Sequence, residues 1–505
     1  MSTQANQPGE RSQLSTSQHR WSHLGQQAAT IGLFLFSAFA PHSIAAAEIS
    51  LAIVGAGWLV RTIATGKTGF RRTRFDLPIW LFFVWTAASS FLSQEPRISI
   101  AKIQSTFVIF LFYLTQATVT RRTATLLVAV MILSGTAGTI YSVYDLARGR
   151  GVIVGSLATD SPLRPLQIRE GDAVWRIDGR RVYSVTDIDE RIRNSPAQAE
   201  MIVGVIAHGE HLELRGLNVT GVIQRRLSPS GIVGAGPTHR FRASGWTRHY
   251  ETYSEILQIL AQVAFGLALA NFRNHGFNFR SKLAFAASLL LALGIAFTAM
   301  RTVLMALAIG FCVISVRALE RRAKVLSLAA VVIVLAAGAF AVYQTRAQNA
   351  LVLQDASSTL RVEVAKVGLS RILLHPLFGH GMDAMHVHWA DWGFPGTDML
   401  HLHSTPLQLA FDRGLPALAL WLWIMALFWV IASRGEKSGR DSSDTNRYGI
   451  LLGATGALAG LFASSLVNYN FGDGEVALVF WWLLGIVVSE VKDQRSEVRD
   501  QRTSC

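Results

Sequence analysis

Charge is scarce in this sequence: 16% of its 505 residues are Asp, Glu, Lys or Arg, against roughly 25% in an ordinary soluble domain. That deficit excludes a soluble enzyme and a charge-rich disordered chain. Cysteine is nearly missing as well. Cys312, inside an apolar run, and Cys505 are the two present, too few for a disulfide framework or a multi-cysteine metal site. A long basic block is the third absence. The 47 Lys and Arg exceed the 33 Asp and Glu by +14, but they stand in small groups between apolar runs rather than in a nucleic-acid-binding tail. No nucleic-acid partner is expected.

Long apolar runs are what the sequence has instead. A membrane span takes about 20 mostly apolar residues, because the helix must satisfy every backbone polar group where water is absent. About twelve runs qualify on that criterion: 28–40, 43–60, 77–92, 103–119, 124–146, 253–272, 283–298, 303–316, 325–343, 415–432, 450–466 and 476–489. The polar stretch 1–27 shows no cleavage site behind a short apolar core, so it is not read as a removed signal peptide. Lys and Arg gather in the gaps after even-numbered runs, from Arg61, Lys67, Arg71, Arg72 and Arg74 after the second to Arg434, Lys437, Arg440 and Arg447 after the tenth. Basic residues resist translocation, which puts those gaps and both termini in the cytoplasm. The intervals 148–252 and 344–414 then share the opposite side, and the chemistry is expected there.

In the first interval, short β-branched runs alternate with Gly, Asp and Pro turns, and 187–192 reads as a helix. Gly151-Val152-Ile153-Val154, Ser161-Pro162, Gly171-Asp172, Ile177-Asp178-Gly179 and Val182 together resemble a PDZ domain. The resemblance implies a small α/β module that binds an extended peptide at the 151–154 edge by strand addition. A rigid spacer or partner-docking module without peptide is the equal alternative. No HExxH helix accompanies it, so the zinc proteases that pair such modules with a metal site are disfavoured.

The second interval holds six of the 14 histidines: His375, His380, His386, His388, His401 and His403. The pairs His386/His388 and His401/His403 have the spacing that turns two rings the same way in an extended segment. Neither Cys nor HxxxH accompanies them, so no metal is expected, and a solvated histidine-rich loop is the plain alternative. Around them stand Leu360-Arg361-Val362-Glu363, a helically periodic 364–374, His375-Pro376-Leu377-Phe378-Gly379-His380-Gly381, and His403-Ser404-Thr405-Pro406-Leu407, leading to Asp412-Arg413-Gly414-Leu415-Pro416. Upstream lie Arg242-Ala243-Ser244-Gly245 and Thr298-Ala299-Met300-Arg301.

In their order these elements resemble the O-antigen ligase and polymerase superfamily, membrane glycosyltransferases that take a glycan from undecaprenyl diphosphate. Leu360 replaces the usual Gly before the Arg, and Ser404 replaces the usual Asn after the His. The resemblance implies an all-α polytopic fold of the glycosyltransferase C type with about twelve transmembrane helices, carrying the PDZ-like insert. It implies a cytoplasmic tail over 1–27, helices one to five over 28–147 and the insert over 148–225. A linker and helices six to nine follow over 226–343, then a catalytic loop over 344–414, helices ten to twelve over 415–489 and a cytoplasmic tail over 490–505.

Inverting transfer without metal or cofactor is implied in the bacterial inner membrane, with a periplasmic site. His403 is the expected base, because imidazole is largely neutral yet basic near pH 7; a helix cap is its bland reading. Arg242, Arg301 and Arg361 are expected to hold the diphosphate, since the guanidinium fork matches phosphate oxygens. Arg301 sits where translocated arginine is disfavoured, with snorkelling to headgroups as the alternative. His401, Asp412 and Ser404 are supporting candidates, the Ser404 hydroxyl standing in for an orienting amide. Arg240, Arg248 and Arg413 are weaker ones, Glu48 is costly inside an apolar run, and Trp389, Trp392, Trp481 and Trp482 are expected in the interfacial belt, with sugar stacking as the alternative. Partners expected are the lipid-linked donor, a lipid or saccharide acceptor, membrane lipid and a peptide or protein at the insert. The resemblance implies a ligase moving the glycan to lipid A-core or a similar acceptor, with an O-antigen or exopolysaccharide polymerase as the alternative. The rivals from other classes are a transporter or flippase of the lipid-linked glycan, which would show matched repeats, and a scaffold recruiting through the insert.

Overall fold

Apolar runs become helices because a backbone out of water must bond to itself. The computed structural model describes residues 8–149, 151–196, 198–207, 211–237, 242–247, 249–326, 329, 332, 333, 336, 356–396, 400–440 and 444–503. Arg240, Arg248, Cys505 and most of the 325–343 run lie outside the described residues. In chain order the helices are α1 (Pro8–Phe39), α2 (Ile44–Thr65), α3 (Asp76–Leu92), α4 (Pro96–Ala101), α5 (Phe110–Thr118) and α6 (Arg121–Arg148). Then come α7 (Val185–Arg193), α8 (Gly221–Gln224), α9 (Tyr250–His275), α10 (Phe279–Thr298) and α11 (Arg301–Ala318). After α12 (Ala356–Leu374), α13 (Ala384–Val387) and α14 (Thr405–Arg413), the chain ends in α15 (Leu415–Gly439), α16 (Thr445–Ser465) and α17 (Gly474–Thr503).

Among the described residues, eight helices are long and apolar enough to cross a membrane: α2, α6, α9, α10, α11, α15, α16 and the first part of α17. The chain is thus a mostly helical multi-pass membrane protein. Two expected spans differ in form. The 103–119 run divides into a 3-10 turn over Ile103–Ile109 and the short α5. The 28–40 run is the end of a helix that begins at Pro8, so residues 8–27 are helical rather than a loose tail.

The chain forms two compact units, one of residues 1–138, 246–296 and 300–505, the other of 139–245 and 297–299. At the centre of the larger unit, α9 and α16 are each 83% buried over their spanning windows, whereas α2 is 22% buried and peripheral. Small residues let the central pair close: a Cβ on Gly266 would lie 2.4 Å from the Gly453 nitrogen, so two glycines bring the backbones together. The tryptophans correct the belt expectation. Trp481 and Trp482 are in the main apolar core, and Trp389 and Trp392 in a satellite core beside the histidine-rich segment, so all four are buried among protein side chains.

The smaller unit carries an antiparallel sheet of β1 (Val152–Leu157), β2 (Ala173–Ile177), β3 (Arg180–Arg181), β4 (Glu200–Ala207), β5 (His211–Asn218) and β6 (Ile232–Pro237). Its order is β5-β4-β2-β1-β6, with β3 on β2. Helix α7 starts in a capping box, Ser184 and Asp187 each accepting from the other's backbone, and sets Ile188 and Ile192 into the core. The sheet takes β6 from beyond residue 225. It pairs with β1 from Val152↔Pro237 to Leu157↔Ile232, and Asp189 on α7 pins the approach by accepting from Ser230 N at 2.8 Å and Ser228 Oγ at 3.0 Å. The β1 edge expected to receive a peptide is therefore filled by the chain's own β6.

Candidate functional site

The histidine pair stands at the start of α14. Pro406 in the first turn suits a helix start, and two polar groups hold the entry: Gln408 Oε1 accepts from Leu402 N at 2.7 Å, and Asn468 O accepts from Thr405 N at 3.1 Å. The His403 ring is not the cap. Its φ of +49° is left-handed and unusual for a non-glycine residue. The ring lies 4.3 Å from the His401 ring, centroid to centroid, at 69°. Neither ring nitrogen of His403 has a hydrogen bond among the described residues, which leaves both for a ligand. Burial, then the His401 ring, then the Arg361 charge lower its pKa to about 3.

Arg361, on α12, is half-buried, and its Nε finds no hydrogen-bond acceptor among the described residues. Arg301 is exposed at the first position of α11. Its neighbour Thr302 links to the histidine loop, because Asn468 Nδ2 donates to Thr302 Oγ1 at 3.2 Å and to Glu255 Oε1 at 3.0 Å. Asn468 thereby joins α9, α11 and the α14 entry. Arg242 lies in the smaller unit, where Ala243 N donates to Phe297 O at 3.0 Å. Ser404 departs from expectation. Its hydroxyl makes no hydrogen bond among the described residues and does not orient the imidazole; its carbonyl accepts from Gln408 N at 2.8 Å as the first bond of α14.

Sequence reading missed Glu255 and Asn468. The available signals were an acid inside the 253–272 run and the Asn468-Tyr469-Asn470 triplet after the 450–466 run. Asn468→Ala is expected to cost about 1–3 kcal/mol, since the buried Glu255 carboxylate loses its donor. Melting in detergent measures this; an unchanged midpoint would remove the linking role.

The other histidines separate from this pair. His380 is fully buried, with Nε2 3.0 Å from Arg371 O and Nδ1 against Gln94 Oε1, and its ring stacks on Phe411 at 4.5 Å. Burial lowers its pKa to about 4, which marks a core histidine. His388 stacks on Trp392 at 4.8 Å and meets Glu95 at 3.2 Å. His386 is in α13 and His388 follows its end, so that pair is not extended as its spacing suggested. Among the described residues no three His, Cys, Asp or Glu side chains converge as metal ligands.

The 375–381 segment frames the far end of α14. His380 N donates to Phe411 O at 2.7 Å, Gly381 N to Asp412 O at 3.0 Å and Leu415 N to Pro376 O at 2.8 Å. Gly379, at φ +72°, lets this pairing happen, because a Cβ there would lie 2.5 Å from the Phe411 carbonyl oxygen. Asp412 is 3% exposed and accepts from Gln408 Nε2 at 2.8 Å. Burial raises its pKa to about 7, against the pull of Arg413 and Gln408.

Beside the pair lies a cavity of about 710 Å³, lined by His401, Asp412, Arg413, Tyr469, Asp473 and Glu48 among others. Its walls come from the starts of α2, α15 and α17, the turn after α4 and the loops before α14 and α17.

Residues 286–422 match the family described as O-antigen ligase. The matched stretch contains Arg301, Arg361, His401, His403 and Asp412. No curated protein matches the chain.

Proposed function

We propose, from the match of residues 286–422 to the O-antigen ligase family, that this chain is a ligase-type membrane glycosyltransferase. It moves a glycan from undecaprenyl diphosphate to an acceptor hydroxyl, lipid A-core or a similar surface lipid, at the periplasmic face of the inner membrane. The observation that carries the reading is His403: a strained residue inside the matched stretch, its ring nitrogens unbonded among the described residues, within the field of Arg361.

The acceptor oxygen attacks the anomeric carbon as its proton passes to the His403 imidazole. The bond from that carbon to the phosphate oxygen breaks, and the electron pair leaves with the diphosphate. Arg361 and Arg301 hold the charge that develops there, where fixed cations contribute most to rate. Attack opposite the leaving group inverts the centre. Neither metal nor cofactor takes part in this scheme.

Reconstitution of the full chain with a lipid-linked glycan and two acceptors, lipid A-core and a second lipid-linked repeat, tests it. Transfer to lipid A-core with inverted anomeric configuration, insensitive to chelator, is the expected result. Arg361→Ala is expected to lower the rate by about 10²–10³-fold. Transfer only to the second repeat would make the chain a polymerase, and loss on chelation with recovery on zinc would overturn the metal-free scheme.

A further inference from the structure

The charges around the 710 Å³ cavity have the wrong balance for a diphosphate. Four carboxylates line it, Glu48, Asp383, Asp412 and Asp473, against two permanent cations, Lys102 and Arg413. None of Arg301, Arg361 and His403 is part of the lining. A dianion entering here would meet more negative charge than positive in a partly desolvated space, where such repulsion is costly.

Two of the carboxylates are engaged by protein. Asp383 pairs with Lys102 at 3.0 Å, and Asp473 accepts from Thr252 Oγ1 at 2.8 Å. Asp412 differs. It is almost wholly buried, Gln408 occupies Oδ1, and Oδ2 has no hydrogen bond among the described residues, although the side chain forms part of the cavity wall. An acceptor oxygen on the cavity wall without a protein donor is open to a donor from a ligand. Aromatic residues complete the wall, Trp421, Phe471 and Trp481 among them. Polar groups side by side with aromatic surface suit a small, partly apolar and partly hydroxylated ligand.

Position adds the last element. His401 belongs to the lining and its ring touches that of His403, so a ligand seated here has one end within about a ring's width of the proposed base. We propose that this cavity seats the accepting end of the acceptor saccharide, a hydroxyl-rich sugar without phosphate, and that Asp412 accepts a hydrogen bond from one of its hydroxyls. The assignment rests on the transferase reading for the name acceptor, while the sugar site itself is separately measurable.

Saturation-transfer NMR on the full chain in nanodiscs provides the test, with dephosphorylated core oligosaccharide from a Gram-negative lipopolysaccharide as probe and inorganic pyrophosphate as competitor. The oligosaccharide is expected to receive saturation, to keep it when pyrophosphate is added, and to bind about tenfold more weakly to Asp412→Ala, as for a lost charged hydrogen bond. Asp412→Asn, which keeps the size and one acceptor oxygen, is expected to fall between. Melting curves of both variants identify any loss that is merely unfolding. Displacement by pyrophosphate, absence of binding to the wild type, or equal affinity in a folded Asp412→Ala chain would overturn the assignment. Glycan transfer measured on the same preparations separates the two readings. Sugar binding without transfer removes the transferase reading and leaves the sugar site, whereas transfer without sugar binding removes the site alone.

Discussion

His403→Ala is expected to lower glycan transfer by about 10²–10⁴-fold, the range for losing a positioned general base, while the chain still inserts and melts as a folded protein. The residue makes no hydrogen bond through its ring among the described residues, so its removal takes away chemistry rather than an internal tie. The pH profile is the finer measurement. In the free protein the imidazole titrates at about 3, because burial, His401 and Arg361 all oppose the cation. His403 is then neutral throughout the neutral range, and kcat/KM should show no acid limb near 6.5 from this group. A bound diphosphate offsets the Arg361 charge and favours the imidazolium, so the His403 limb in kcat should lie at higher pH than in kcat/KM.

Asp412, raised by burial to about 7, and Asp473, raised by burial to about 6, titrate nearer neutrality; a limb that disappears in Asp412→Asn belongs to the former. Stability follows with its own sign. The unfolded histidine takes a proton near 6.5 and the folded one only near 3, so this group destabilises the fold progressively as pH falls from 6.5 towards 3. His403→Ala should therefore soften acid unfolding. Wild-type transfer by the Ala variant would remove His403 from the reaction.

Gly414→Ala is expected to cost about 3–5 kcal/mol, a severe backbone effect in a protein of ordinary net stability. Gly414 separates α14 from α15 with φ +82° and ψ 170°, a conformation close to glycine's own. A Cβ there would sit 1.9 Å from the Leu377 carbonyl oxygen and 2.4 Å from its carbon. Both atoms are backbone, so no rotamer relieves the collision. Relief requires moving Pro376 and Leu377, which breaks the bond from Leu415 N to Pro376 O and shifts the segment that bonds to Phe411 and Asp412. The expected result is a poor yield of folded protein, with little transfer from what remains, read by melting and by the reconstituted assay. A variant that melts and transfers as the wild type does would show that the elbow yields more easily than its geometry implies.

Much of the candidate site is legible in the sequence because its residues fall in short local patterns. Gly379 and Gly414 belong to such patterns, and the structure gives each a backbone neighbour that a side chain would strike. His403 and Arg361 are 42 residues apart in the sequence, and the field of one on the other arises only when α12 packs on α14. The six histidines look alike in sequence, yet His380 is enclosed by Phe411 and Trp392 while His401 faces a cavity. Asn468 and Glu255 carry no motif, and their link exists only because the loop after α16 reaches the start of α9.

The sequence by itself determined that this is a multi-pass membrane chain, because transfer free energy is summed residue by residue along a run and needs no partner. It also carried the motifs by which residues 286–422 match the O-antigen ligase family, because those motifs are local strings. Tertiary structure alone decided which tryptophans are core, which histidines face the cavity, that β6 fills the edge of β1 and that Asp412 is buried on the cavity wall with Gln408 on one oxygen. The physical reason is that burial and hydrogen bonding belong to pairs of groups, and the partners are brought together by helix packing rather than by neighbouring positions in the chain.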